Sequence, residues 1–151
     1  MKILFNLIFS YLIVHFSPLL GASLPAPFHS IKVLPEYRFG YYTNAEQIAE
    51  IFRKNQIQTV IEIGSWIGGG STAHFAELLK PVQGKVYAID TWLGSSTQQQ
   101  GGPHYQPVLP YVYQQFLSNM IHWNLTDTVI PVRMRSLEAA RTPLHHWLKV
   151  E

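Results

Sequence analysis

Between Gln58 and Asp90 the chain runs through an apolar strand, a glycine-rich loop, an apolar helix and a second apolar strand, an order that constrains its fold more than any other feature. Gln58-Thr59-Val60-Ile61-Glu62-Ile63-Gly64 is dominated by β-branched residues and closes on a glycine, which reads as a buried strand. Gly68, Gly69 and Gly70 lead into Ser71 and Thr72, and Ala73, Phe75, Ala76, Leu78 and Leu79 supply a helix that Pro81 terminates. Gly84 then turns the chain into Lys85-Val86-Tyr87-Ala88-Ile89-Asp90, a strand closed by an acid. The product is a βαβ unit with parallel neighbouring strands and a right-handed crossover.

The remaining elements extend that unit. Thr43 with Glu46 forms a capping box, and Ala45, Ile48, Ile51 and Phe52 then share one face of a helix from about residue 44 to 54. Residues 94 to 110, rich in glutamine, glycine and proline, read as a loop. Val112, Phe116, Met120 and Trp123 mark a helix from Tyr111 to near Asn124, Val129 to Met134 a third strand, and Ser136 and Leu137 the start of a last helical stretch containing Leu144, Trp147 and Leu148. A chain of 151 residues, 47% apolar and 13% charged, has the length and composition of one folded domain.

Ahead of this domain, Lys2 precedes an apolar run from Ile3 to Leu20, followed by Gly21, Ala22 and Ser23. That pattern reads as a secretory signal, with an uncleaved anchor as the alternative; a span needs about 20 apolar residues, and this run is shorter and carries polar breaks. The expected organisation is a leader over 1–23, an extended linker hugging the surface over 24–43, and an α/β domain over 44–151. A genuine leader implies secretion or envelope association, with membrane contact only through that leader; a misassigned start implies a cytoplasmic protein.

Several function classes lose support. The net charge is only +2 with scattered Lys and Arg, so no basic stripe invites nucleic acid. Without cysteine there is no thiolate catalysis and no Cys-ligated metal. His145 and His146 point to different helix faces, His74 reads as packed or solvated, and no metal site is expected.

The chemistry therefore rests on Glu62-Ile63-Gly64-Ser65-Trp66-Ile67-Gly68-Gly69-Gly70-Ser71-Thr72 after one strand and Asp90 after the next. Gly64 lets the backbone turn, Gly68 allows close approach of a ligand, the following helix offers unpaired backbone N–H groups, and an acid on the next strand accepts ribose hydroxyls. Trp66 stands where the dinucleotide fingerprint needs its second glycine, and no P-loop pattern is present. A nucleoside ligand carrying little phosphate fits best.

Val60-Ile61-Glu62-Ile63-Gly64-Ser65-Trp66-Ile67-Gly68 resembles motif I of class I S-adenosylmethionine-dependent methyltransferases, and most closely the methyltransferase-24-type family. The likeness extends to Ile89-Asp90-Thr91-Trp92, Gln115-Phe116-Leu117-Ser118-Asn119-Met120 and Val129-Ile130-Pro131-Val132, spanning about 44 to 140. It implies a Rossmann-like methyltransferase fold of which this chain holds the N-terminal half, with parallel strands in the order 3-2-1 and flanking helices. It further implies S-adenosyl-L-methionine as cofactor and a small-molecule acceptor. Glu62 would orient the loop or the methionine ammonium, and Gly64, Ser65 and Gly68, with Trp66 among them, would border methionine and ribose. Asp90 would bind the ribose, Thr91 and Trp92 would lie beside the adenosine, and Ser136 would approach the adenine.

In that family the acid-and-histidine cluster at the acceptor follows the fourth strand, beyond the last residue here, so no catalytic residue is assigned. The expectation is a truncated fragment or half of a split protein whose exposed sheet edge self-associates. The competing readings are a non-catalytic remnant and a Rossmann-like hydroxylase of the cephalosporin-hydroxylase type, which would need a metal site.

Overall fold

A computed structural model of the chain describes residues 23–98, 100–102 and 106–143. The leader up to residue 22, His104, His145, His146, Leu144, Trp147 and Leu148 lie outside the described residues. Among the described residues no helix is long and apolar enough to cross a membrane.

The architecture is α/β, with a parallel three-stranded sheet of β1 (Thr59–Ile63), β2 (Lys85–Asp90) and β3 (Val129–Arg133) in the order β1-β2-β3. The helices are α1 (Ala45–Asn55), α2 (Ser71–Leu79), α3 (Val112–His122) and α4 (Ser136–Arg141). Ile63 pairs with Ile89 and Asp90 with Arg133, so the carboxyl ends of the strands lie level with one another.

Side chains alternate across the sheet and divide the core in two. On one face Val86, Ala88 and Val129 pack with Ala73, Ala76 and Leu79 of α2 and with Phe116, Leu117 and Met120 of α3. On the other, Tyr87, Ile89 and Val132 pack with Ala139 of α4. The central strand β2 is buried on both faces over Val86–Ile89, which is why its sequence is an unbroken apolar run.

Two local expectations are corrected. β1 is not a fully buried strand: Ile61 is 47% exposed and Ile63 64% exposed, because α4 shields only the β2–β3 side of their face. The helix cap over 43–46 also differs, since α1 is capped at Asn44 with no side-chain capping bond, and Ile51 on its expected apolar face is 48% exposed. Of that face Phe52 stacks on Phe75 of α2, with ring centroids 6.0 Å apart.

The segment before α1 is fastened to α3 by side chains that satisfy its backbone. Ser118 Oγ accepts from the Leu34 amide at 2.9 Å, Gln114 donates to the Lys32 carbonyl at 2.6 Å, and Gln115 donates to the Pro35 carbonyl at 2.9 Å. Asn119, wholly buried, accepts from the Tyr37 amide at 3.1 Å and donates to the carbonyls of Tyr37 and Ile67, each at 2.8 Å. Its Oδ1 also accepts from Gln115 at 3.0 Å. Trp123 adds a bond from Nε1 to Glu36 at 2.6 Å. This strap has no strand partner among the described residues, so α3 supplies the donors and acceptors a neighbouring strand would otherwise provide.

Asn119→Ala strands the amide and carbonyl of Tyr37 and the carbonyl of Ile67, and buried groups left unpaired cost about 1–3 kcal/mol each. The variant is expected to lose at least about 2 kcal/mol in urea-induced unfolding; an unchanged midpoint and slope would show that the strap is not fastened there.

Candidate functional site

The loop after β1 and the turn after β2 face each other at the carboxyl end of the sheet, and Asp90 joins them. Its Oδ2 accepts from the backbone amide of Trp66 at 2.9 Å, and its Oδ1 accepts from that of Trp92 at 2.8 Å. Trp92 Nε1 closes the ring by donating to the Trp66 carbonyl at 2.6 Å. Both tryptophans adopt left-handed backbone, with φ of 49° and 51°. Such a conformation costs a side-chain-bearing residue roughly 1–2 kcal/mol, and hydrogen bonds to a charged acceptor, each worth about 1.5–3 kcal/mol, offset it.

Below the loop, Glu62 is buried and both its carboxylate oxygens accept hydroxyl hydrogen bonds, one from Ser71 and the other from Thr72. The end of β1 is thereby tied to the first turn of α2. The Tyr42 hydroxyl is buried beside this group without a partner among the described residues, and burial, with the nearby Glu62 charge adding to it, raises its pKa above the ordinary 10.0.

Above the loop lies a cavity of about 450 Å³ lined by Gly64, Ser65, Trp66, Gly69, Gly70, Ser71 and Asp90, with Phe39, Gly40 and Tyr41 of the strap and Gln98 and Gln106 completing its wall. Among the described residues Asp90 is the one formally charged group in that lining. Gly64 adopts φ of +85°, and a Cβ there would meet nothing within 4 Å, so its face opens into free space. The Ser65 hydroxyl is buried and has no partner among the described residues.

Of the residues singled out by sequence, Gly64, Ser65, Trp66 and Asp90 come together around this cavity, whereas Glu62 and Gly68 lie outside its lining. Gly68 serves packing: at φ of +76°, a Cβ would sit 2.5 Å from Met120 Cε and 3.2 Å from the Phe116 ring. Thr91 is half-buried, and its hydroxyl accepts from the Leu93 amide at 3.3 Å. The Trp92 indole is a core group, 4.6 Å from the Tyr113 ring and 4.8 Å from that of Phe116. It also borders a second cavity of about 360 Å³ with Leu93, Tyr113 and Arg133. Ser136 opens α4 as an exposed residue and lines neither cavity.

The strap was not visible as part of the site, and Gly69 and Gly70, which the sequence places in the binding loop, carry it. A Cβ on Gly69 would come within 2.6 Å of the Phe39 carbonyl oxygen, and one on Gly40 within 2.7 Å of the Gly70 nitrogen. The glycine run therefore admits another stretch of backbone. His74, half-buried, packs its ring 5.3 Å from Tyr42 and meets the Ala45 carbonyl at 3.1 Å. Among the described residues no group of three or more His, Cys, Asp or Glu side chains could hold a metal ion.

Set against known proteins, the chain matches no family model and no curated protein sequence.

Tyr42→Phe removes a hydroxyl that bonds to nothing, so the variant is expected to be as stable as the parent or more stable by up to about 1 kcal/mol near neutral pH. The raised pKa fixes the sign at alkaline pH: as pH climbs past 10.0 the unfolded chain releases the phenolic proton first and stability falls. Thermal melts across that range should show a shallower alkaline decline for the variant, with Tyr87 and Tyr113, also raised by burial, retaining their share.

Proposed function

We propose that the cavity at the carboxyl ends of β1 and β2 binds S-adenosyl-L-methionine and that the chain belongs to the methyl-transfer class, acting on a small-molecule acceptor. The observation that carries the reading is the juxtaposition of an open Gly64 face, an unpartnered buried Ser65 hydroxyl and a charged Asp90 around one cavity. In open parallel sheets ligands bind outside the carboxyl ends of the strands, where loops rather than side-chain cores meet solvent.

The donor set suits a nucleoside that carries an amino acid rather than phosphates. Among the described residues no Lys, Arg or His lines the cavity to neutralise a phosphate. Asp90 uses one lone pair of each oxygen on a loop amide, which leaves the others for the two hydroxyls of a ribose. Ser65 supplies a hydroxyl for the polar end of the ligand, and Gly64 allows its close approach. Trp92, Leu93 and Arg133, on the turn after β2 and the end of β3, line a second cavity of about 360 Å³.

When bound, S-adenosyl-L-methionine would supply an electrophilic methyl group to an acceptor lone pair, with the carbon–sulfur bonding electrons passing to sulfur and the acceptor's proton to bulk solvent. The protein's share is alignment and exclusion of water. The Asp90 carboxylate would hold the ribose, while the Glu62 tie fixes the loop over α2 and the strap closes the outer side.

A second reading is favoured by Ile61 and Ile63, two aliphatic side chains about half exposed or more on the edge strand. We propose that this strand self-associates, its exposed apolar face and the backbone edge that is unpaired among the described residues together offering a second copy a place to pair.

Two experiments test these readings. Calorimetric titration of the chain with S-adenosylmethionine and S-adenosylhomocysteine, after circular dichroism shows that it folds, is expected to give saturable binding. Gly64→Val and Asp90→Ala should abolish it, and Ser65→Ala, which sacrifices no internal bond, should weaken it roughly three- to tenfold. A folded parent that does not bind, or unchanged affinity in all three variants, would sink the proposal. For the edge, sedimentation velocity should show concentration-dependent association that Ile63→Lys suppresses; equal behaviour of parent and variant would remove the second reading.

A further inference from the structure

The outer wall of the main cavity is made by the strap, and its rings carry a function of their own. Tyr41 is 93% exposed and Phe39 39% exposed, yet both line the cavity, with their rings edge-on at 5.5 Å. Tyr37 stacks on Phe39 with centroids 6.2 Å apart and planes 8° from parallel. A tyrosine that exposed adds almost nothing to folding by burial. Its backbone is nevertheless held on both sides: Gly40 before it lies against Gly70, and Tyr42 after it packs its ring 5.3 Å from that of His74.

Aromatic side chains held on fixed backbone at a cavity mouth are preorganised for stacking, because little freedom is left to lose on binding. The rest of the cavity narrows the class of ligand. Among the described residues its one charge, Asp90, opposes anions and already bonds two loop amides, and no cation lines the wall. Gln98 and Gln106 offer neutral amides. A flat ring without charge, bearing a hydroxyl or similar polar group, matches that lining.

We propose that Phe39 and Tyr41 form a stacking wall that receives an uncharged aromatic ligand. The further statement that this ligand is the methyl acceptor rests on the methyltransferase reading; recognition of the ring does not.

The test is fluorescence anisotropy of 2-naphthol titrated with the full chain, with and without saturating S-adenosylhomocysteine. Binding should be saturable, phenol should compete, and the non-planar cyclohexanol should not. Phe39→Leu and Tyr41→Leu should each weaken naphthol binding roughly three- to tenfold. Absence of naphthol binding by folded chain, or equal affinity in parent and variants, overturns the proposal. So does displacement of naphthol by S-adenosylhomocysteine, which would assign the wall to the cofactor's own base. Naphthol binding that depends on Tyr41 in a chain that ignores S-adenosylhomocysteine upholds the stacking wall and removes the methyltransferase reading alone.

Discussion

One buried amide side chain, that of Asn119, joins the parts that make this site. Its Oδ1 and Nδ2 together bond the backbone of Tyr37, the carbonyl of Ile67 and the side chain of Gln115, so strap, glycine loop and α3 share a single fixed point. An amide has two donors and two acceptor lone pairs, and all four are used here. That full use is what allows a polar group with no exposed surface inside the protein, beside the buried Gln115 and Ser118. Without that fixed point the strap would lose its register on the glycine loop, and the cavity would lose its outer wall.

The strap depends equally on having no side chain in its way. Gly40 and Gly69 each face backbone at distances no Cβ could tolerate, so two segments about thirty residues apart in sequence meet backbone to backbone. On the inner side the Asp90 carboxylate does the complementary work, holding two tryptophans in a backbone conformation they avoid elsewhere. Strain of this kind persists only where surrounding bonds over-determine it. Loop, turn and strap thus form a rigid rim around an open centre, and the rigidity comes from hydrogen bonds and glycine contacts because few apolar side chains reach that end of the sheet.

How much of this was legible follows from the range of the interactions involved. β2 is readable to the residue, since burial on both faces leaves a continuous apolar run closed by Asp90 and preceded by Gly84. The meeting of Gly64, Ser65 and Asp90 is readable too, because a βαβ unit places successive strand ends side by side. The strap is not, because its backbone partners lie about eighty residues away on α3 and leave no periodic trace. Gln115, Ser118 and Asn119 look like polar interruptions in an apolar helix until the segment they hold is seen. Gly68 misleads for a related reason: a glycine needed for close approach looks the same whether the approaching group is a ligand or, as here, Met120. The start of α1 shows a finer limit, since Thr43 and Glu46 satisfy the spacing of a capping box while the chain caps at Asn44.

The two faces of the sheet carry the remaining physical argument. Val60 and Glu62 of β1 point toward α2, where Glu62 gives up its solvation for two hydroxyl bonds. Ile61 and Ile63 point the other way and stay wet, although parallel strands are as a rule covered on both sides. Exposing two isoleucines where polar residues would cost nothing is unfavourable by roughly 25 cal/mol for each Å² of apolar surface left in water. Tyr87 and Ile89 on the neighbouring strand escape that cost under Val132 and Ala139. The same face is therefore finished over β2 and β3 and unfinished over β1, and the unfinished part lies directly behind the strand that carries the glycine loop. Whatever covers Ile61 and Ile63 would also stiffen β1, and through Glu62 that stiffness would reach the floor of the cavity.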